Sequence, residues 1–187
     1  MKKIITFYGQ PGCGKSTQAE ILAEKYGFMK FGMGERLRDE IDSGSSLGQQ
    51  IKPYVDEGIL IPDDLMIKII KNIDQKAGQS GIIFDGFPRI VSQAKMLAKI
   101  ALELNWEIGN FFYLRLRPEQ ALKRIEARAQ LSGRGDDVSP KAIHNRFLVF
   151  ERESTPLLEY YRSAGKLIEV DASLKIEEVN TEIKKNL

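Results

Sequence analysis

Residues Gly9 to Ser16 read Gly-Gln-Pro-Gly-Cys-Gly-Lys-Ser, between a short apolar run, Ile4–Tyr8, and a segment of helical period, Thr17–Tyr26. Two glycines separated by four residues, then lysine and a hydroxyl residue, constrain the chain to a strand, a tight loop and a helix. In such a loop the backbone from Gly12 through Cys13, Gly14, Lys15 and Ser16 to Thr17 curls around phosphate oxygens. The new helix points its positive end at them, and Lys15 adds a full charge. Ser16 is placed to reach a magnesium ion. A glycine-rich turn with an exposed lysine is the plain alternative, and the strand before and helix after argue against it. Cys13, near a helix N-terminus that lowers thiol pKa, is either a reactive thiol or a small tolerated loop residue. The loop fixes a phosphate donor and leaves the acceptor open. Water as acceptor makes a hydrolase, motor or switch; a second molecule makes a kinase.

Beyond the loop, short apolar runs at Ile4–Tyr8, Phe28–Phe31, Gly81–Phe84, Phe111–Leu116 and Leu167–Val170 alternate with helical patterns at Thr17–Tyr26, Asp64–Ile73, Gln93–Leu104 and Glu119–Ala129. This alternation predicts an α/β fold of three layers, a five-stranded parallel sheet with helices on both faces. Runs that scarcely alternate, such as Gly81-Ile82-Ile83-Phe84, suit strands buried on both sides. From Gly34 to Ala77 there are only helical patterns, broken at Ser43–Ser46 and at Ile61-Pro62-Asp63, where Asp63 is a candidate cap. That stretch reads as a helical insertion. Gln130–Asp137 is a polar loop, Ser139-Pro140 reads as N-cap and first residue of a long helix, and Pro156 is expected to kink or interrupt it.

The chain's 187 residues predict one domain, 1–187. A net charge of +2, from 28 basic and 26 acidic residues, carries no basic excess pointing to nucleic acid. Cys13 and His144 are each the sole residue of their kind, which argues against a disulfide, a multi-cysteine zinc cluster or a histidine metal site. Any metal is expected to be oxygen-bound. No run approaches the roughly 20 apolar residues of a spanning helix, so the expectation is a soluble, cytoplasmic protein without a membrane partner, and nothing requires more than a monomer.

Asp85 ends the run Gly81–Asp85, where an acidic residue can face the loop and position magnesium, directly or through water. The stretch Asp85-Gly86-Phe87-Pro88-Arg89 sets Arg89 on a stiff turn at the carboxyl edge of the sheet, where open α/β sheets bind ligands and a fixed guanidinium grips phosphate.

With these residues in hand, the chain resembles the nucleoside monophosphate kinases of the P-loop NTPase type, and most of all the short-lid adenylate kinases. The resemblance runs from about Lys3 to Asp171, through "GQPGCGKSTQ", "GERLRDE", "EGILIPDD", "DGFPRIVSQ", "RIEARAQLSGRGDD" and "ERESTPLLEYYRSAGKLIEVD". It implies magnesium-dependent transfer of the terminal phosphoryl of ATP to a nucleoside monophosphate, AMP first, with no covalent intermediate. It also implies an acceptor-binding insertion at 32–61 and a short lid at 129–138. By the same resemblance Arg38 and Arg89 would hold the acceptor's phosphate and Gln93 its base. Met33, Gly86 and the stretch Gly58, Ile59, Leu60 and Ile61 would line that site. Arg124 would stack near the ATP base, and Arg128, Arg134 and Arg146 would surround the phosphates, with Asp136 and Asp137 fixing the arm that carries Arg134. Read without the resemblance, Arg124 and Arg128 form a solvated helix face at i, i+4 spacing.

The sequence departs from the family pattern before the insertion, where Gly32-Met33-Gly34-Glu35-Arg36-Leu37-Arg38 stands for a usual Ser-Thr-Gly-Asp, two apolar residues and arginine. Met33 replaces the hydroxyl residue beside the acceptor's adenine, Glu35 is a longer acid and Arg36 an added base. Gln93 favours adenine, whereas pyrimidine-specific relatives tend to carry asparagine. A kinase for CMP or UMP is therefore the near alternative, and a noncatalytic nucleotide-binding module the alternative from another class.

Overall fold

A computed structural model describes residues 1–70, 77–132 and 139–187. Five strands, β1 (Lys3–Tyr8), β2 (Phe28–Gly32), β3 (Gly81–Asp85), β4 (Glu107–Arg115) and β5 (Leu167–Asp171), form one sheet in the order β2-β3-β1-β4-β5. All the pairings are parallel. The expected α/β sheet is thus the observed one. Helices α1 (Lys15–Tyr26), α2 (Met33–Asp42), α3 (Ser46–Glu57), α4 (Asp63–Ile70), α5 (Val91–Glu103), α6 (Pro118–Ser132), α7 (Pro140–Ser163) and α8 (Ile176–Lys184) make the connections and the C-terminal end.

The pleat explains how a non-alternating run becomes a central strand. In β3, Ile82 and Phe84 join one apolar cluster with α2, α3, α4 and α5, while Ile83 faces the cluster of α1 and α8 on the other side. In β1, Ile5 and Phe7 point to the α1 and α8 face, Ile4 and Tyr8 away from it. Both faces therefore need apolar side chains, and successive side chains of a strand supply them. The Phe7 and Phe112 rings stack at 5.3 Å, and on the opposite face Phe111 stacks on Tyr161 of α7 at 3.9 Å.

Three local expectations are corrected. Strand β4 starts at Glu107 rather than Phe111, because pairing carries it beyond its apolar part: Lys3 lies opposite Glu107 and Ile4 opposite Ile108, with a register shift before Thr6. Helix α7 runs unbroken from Pro140 to Ser163, so Pro156 does not interrupt it. One missing backbone donor is tolerated where Leu157 and Tyr161, 0% and 3% exposed, anchor the following turn in the core. Asp63 opens α4 as its first residue, beside Asp64 in the first turn. The start of α7 is as expected: Ser139 Oγ accepts from the Ala142 amide at 3.3 Å, with Pro140 next to it.

Tyr8, Tyr113 and Tyr161 have their phenol pKa values raised, in each case chiefly by burial. A buried neutral phenol stabilises the fold fully below the unfolded-state value of about 10 and loses that contribution as pH rises past it. Stability should therefore fall above pH ~10, and Tyr161→Phe should flatten that alkaline decline. Urea denaturation of parent and variant between about pH 8 and 11 measures it; equal slopes in both proteins would contradict the assignment.

Candidate active site

Because β1 and β3 are parallel neighbours in register, with Phe7 opposite Asp85, the segments following both strands emerge at the same edge of the sheet. After β1, Gly9 has φ 145°, and a Cβ there would lie 2.6 Å from the Leu114 carbonyl oxygen and 2.7 Å from Cys13 Sγ. At the other end of the loop, Gly14 precedes α1 with φ 96°. No side chain caps α1 and its first turn carries no acidic residue, which leaves its amides directed at the loop's interior. The Gln10 side-chain amide donates to the Leu116 carbonyl at 2.7 Å, tying the loop to the end of β4.

Within the loop, Lys15 Nζ donates to the carbonyls of Gly9 at 2.8 Å and Gln10 at 2.9 Å. Cys13 lies 3.5 Å from the same ammonium through its sulfur, with its side chain packed in the core at 2% exposure. Ser16 Oγ, in the first turn of α1, donates to Asp85 Oδ2 at the end of β3. That pair sets two hard oxygen donors beside the loop. Among the described residues no group of three or more His, Cys, Asp or Glu gathers to hold a metal.

Asp85 leads into the turn bearing Arg89. The Gly86 amide donates to the Phe7 carbonyl at 3.2 Å, and the Gly86 carbonyl accepts from Arg89 Nε at 3.0 Å. The Arg89 amide donates to Gln93 Oε1 at 2.8 Å. Gln93 is fully buried and its Nε2 makes no hydrogen bond among the described residues. The amide is thus oriented by its acceptor end, and the residue lies at the wall of a cleft.

That cleft has a volume of about 470 Å3. It joins Gly12, Lys15, Ser16 and Thr17 to Asp85, Gly86, Arg89 and Gln93, and these to Met33, Arg38, Ile59, Leu60 and Ile61 from the insertion and to Arg128 and Arg146 from α6 and α7. Most of the residues singled out in the sequence therefore line one cleft. Cys13 and Gly14 belong to the loop without lining the cleft. Arg124 is placed elsewhere, its Nη2 donating to the Ala172 carbonyl after β5 at 3.1 Å. Arg134, Asp136 and Asp137 lie outside the described residues. Met33 is 1% exposed, packed in the core cluster with Phe31, Leu37, Phe84 and Phe87 while it floors the cleft.

The cleft also contains residues that the motif reading passed over. Lys30 of β2 stands 3.4 Å from Glu35 and 3.9 Å from Glu20, and all three line the wall between α1 and α2. A lone charge within Phe28-Met29-Lys30-Phe31 was the available signal. Tyr8 and Phe150 contribute aromatic surface to the same cleft. The added base Arg36 pairs with Glu40 at 3.1 Å, and Glu40 also accepts from Ser45 Oγ at 2.6 Å, so this group staples α2 to the start of α3.

A phosphate loop at the edge of a parallel sheet, facing a wall of arginines across one cleft, defines a nucleotide-binding α/β protein of the P-loop class. The Adenylate kinase family model matches residues 7–166. The chain is 37% identical over its whole length, and the whole of theirs, to an adenylate kinase of Leptospira biflexa serovar Patoc. It is 35% identical to one of Parabacteroides distasonis, over 96% of this chain and 95% of that one, and 40% identical to one of Bacteroides fragilis over 87% and 86%. The chain belongs to the adenylate kinase family.

The two loop glycines are held for different reasons, which thermal unfolding separates. Gly14→Ala meets no heavy atom within 4 Å and strains only the backbone, whereas Gly9→Ala adds a collision with β4. Gly14→Ala should cost about 1–2 kcal/mol, and Gly9→Ala should lower Tm further. An equal or smaller loss at Gly9 would overturn that difference.

Proposed function

We propose that this protein catalyses reversible phosphoryl transfer from ATP to AMP, giving two ADP. The observation that carries the reading is the single cleft in which the Gly9–Ser16 loop and Lys15 face Arg38, Arg89 and Gln93. A hydrolase needs one phosphate site; this wall offers charge for two.

The roles follow from the chemistry. The ATP phosphates lie in the loop from Gly12 to Thr17, against the amides of α1 and Lys15, whose ammonium exchanges loop carbonyls for phosphate oxygens. Arg38 and Arg89 hold the acceptor's phosphate so that its oxygen attacks the terminal phosphorus of ATP in line, as the bond to the departing ADP breaks. Phosphoryl transfer asks little covalent work of a protein, so alignment and charge around the transferring group supply the rate. Arg128 and Arg146 complete that charge, and Arg134 joins them by resemblance, as Arg124 joins the ATP base side. Segment 32–61 serves as the acceptor-side flap and 129–138 as the lid, and closure keeps out water, a competing acceptor.

The donor set fits magnesium. This ion favours oxygen ligands and is commonly held by one or two protein groups together with substrate phosphates, and Ser16 and Asp85 provide such a pair. When bound, magnesium would neutralise phosphate charge and orient the phosphate chain. The proposed setting is a cytoplasmic monomer acting on free nucleotides.

Gln93 offers a hydrogen-bond donor to the acceptor's base, which suits the ring nitrogen acceptor of adenine and equally that of cytosine. Met33 adds an adaptable apolar surface where relatives have a hydroxyl, so CMP is the second candidate. Coupled assays with AMP, CMP and UMP should rank AMP first; no turnover with any of them while ATP still binds would establish a noncatalytic module. In Arg89→Ala, kcat/KM for AMP should fall about 10³-fold with ATP affinity nearly unchanged, and unaltered turnover would remove the two-site reading. Met33→Thr should raise the AMP to CMP ratio of kcat/KM while lowering Tm, since the side chain is buried. A ratio equal to the parent's would exclude Met33 from base choice.

A further inference from the structure

Helix α3 ends at Glu57, and Gly58 follows in the left-handed region with φ 69°. The Gly58 amide donates to the Val55 carbonyl at 3.1 Å and the Ile59 amide to the Tyr54 carbonyl at 3.0 Å. Such a glycine-terminated end leaves the carbonyl of its last residue without a partner inside the helix. The donor for that carbonyl comes from 88 residues further along the chain: Asn145 Nδ2 of α7 donates to the Glu57 carbonyl at 2.7 Å. The backbones meet at the same place, for a Cβ on Gly58 would lie 2.4 Å from the Ala142 carbonyl oxygen and 3.1 Å from Ala142 Cα. Ala142, Asn145, Arg146 and Val149 recur at the i, i+3, i+4, i+7 spacing of one helix face. That face therefore both receives the end of α3 and gives Arg146 and Val149 to the nucleotide cleft. The residues beyond the contact, Gly58, Ile59, Leu60 and Ile61, line the same cleft.

We propose that Asn145 is a positioning residue for the acceptor's site: by donating to the carbonyl that α3 leaves open, it seats the end of α3 on α7 and fixes Gly58–Ile61 against the helix that carries Arg146. Packing at Gly58 limits how near the two backbones come, and the hydrogen bond, being directional, sets how the end of α3 is turned. The proposal rests on the reading of Gly58–Ile61 as a wall of the acceptor's site.

Asn145→Leu nearly keeps the volume of the side chain and removes its donor, whereas Asn145→Gln restores an amide on a longer arm. The expected result for Asn145→Leu is a rise of about three- to tenfold in KM for AMP, with KM for ATP unchanged, from loss of one oriented hydrogen bond. Asn145→Gln should lie closer to the parent. Without nucleotide, the Gly58 and Ile59 amides should exchange with deuterium faster in Asn145→Leu than in the parent, while those of β1 and β3 keep their rates. In a Gly58→Ala background, where the two backbones are already wedged apart, Asn145→Leu should have no further effect on KM for AMP. Unaltered exchange at Gly58 and Ile59, equal losses for both nucleotides, or an additive loss in the double variant would each overturn the role of Asn145. Faster exchange with KM for AMP at the parental value would overturn it as well, because the tie would then exist without serving the acceptor. If the parent itself turns over no monophosphate, the reading of the acceptor's site fails first and the proposal with it.

Discussion

The parallel pairing of β1 with β3 is the constraint on which the rest of the site depends. It sets Phe7 opposite Asp85, so the phosphate loop after one strand and the arginine turn after the other open onto a common edge. The Ser16 hydroxyl on Asp85 and the Gly86 amide on the Phe7 carbonyl then bind the two segments directly. A slip of one residue would turn every side chain of β3 to the opposite face. That slip is opposed by Ile82, Ile83 and Phe84, which are fully buried in clusters on both sides of the sheet.

Charge placement follows the same economy. The cleft gathers Lys15, Arg38, Arg89, Arg128 and Arg146 from the start of α1, from α2, from the turn after β3 and from α6 and α7, so no single element carries the whole positive field. Mutual repulsion is moderated by partners within the chain: loop carbonyls hold Lys15, and the Gly86 carbonyl takes Arg89 Nε. Nearby, Lys30 balances Glu20 and Glu35. These are exposed carboxylates, so the contribution of that triad to stability is small and its main effect is on local orientation.

Much of the site was legible in the sequence because phosphate binding uses short contiguous motifs. A loop of fixed glycine spacing and the turn Asp85–Arg89 keep their meaning without knowledge of long-range contacts, and the apolar runs marked the strands. Where legibility failed, pairing or packing made the decision. The beginning of β4 has few apolar residues, and only its neighbour β1 makes it a strand. Pro156 breaks a local rule, yet buried Leu157 and Tyr161 carry the helix past it.

The sequence by itself determined the parallel α/β class, the phosphate loop and the family, since these depend on local geometry and on short motifs with fixed spacing. Tertiary structure decided what surrounds each side chain. It buried Met33 beneath the cleft, oriented the Gln93 amide through its oxygen, and set the end of β1 and the Arg89 turn on one cleft. The reason is physical: burial, charge and hydrogen-bond partners are set by residues far apart in the chain, and they exist only once the sheet has brought those residues together.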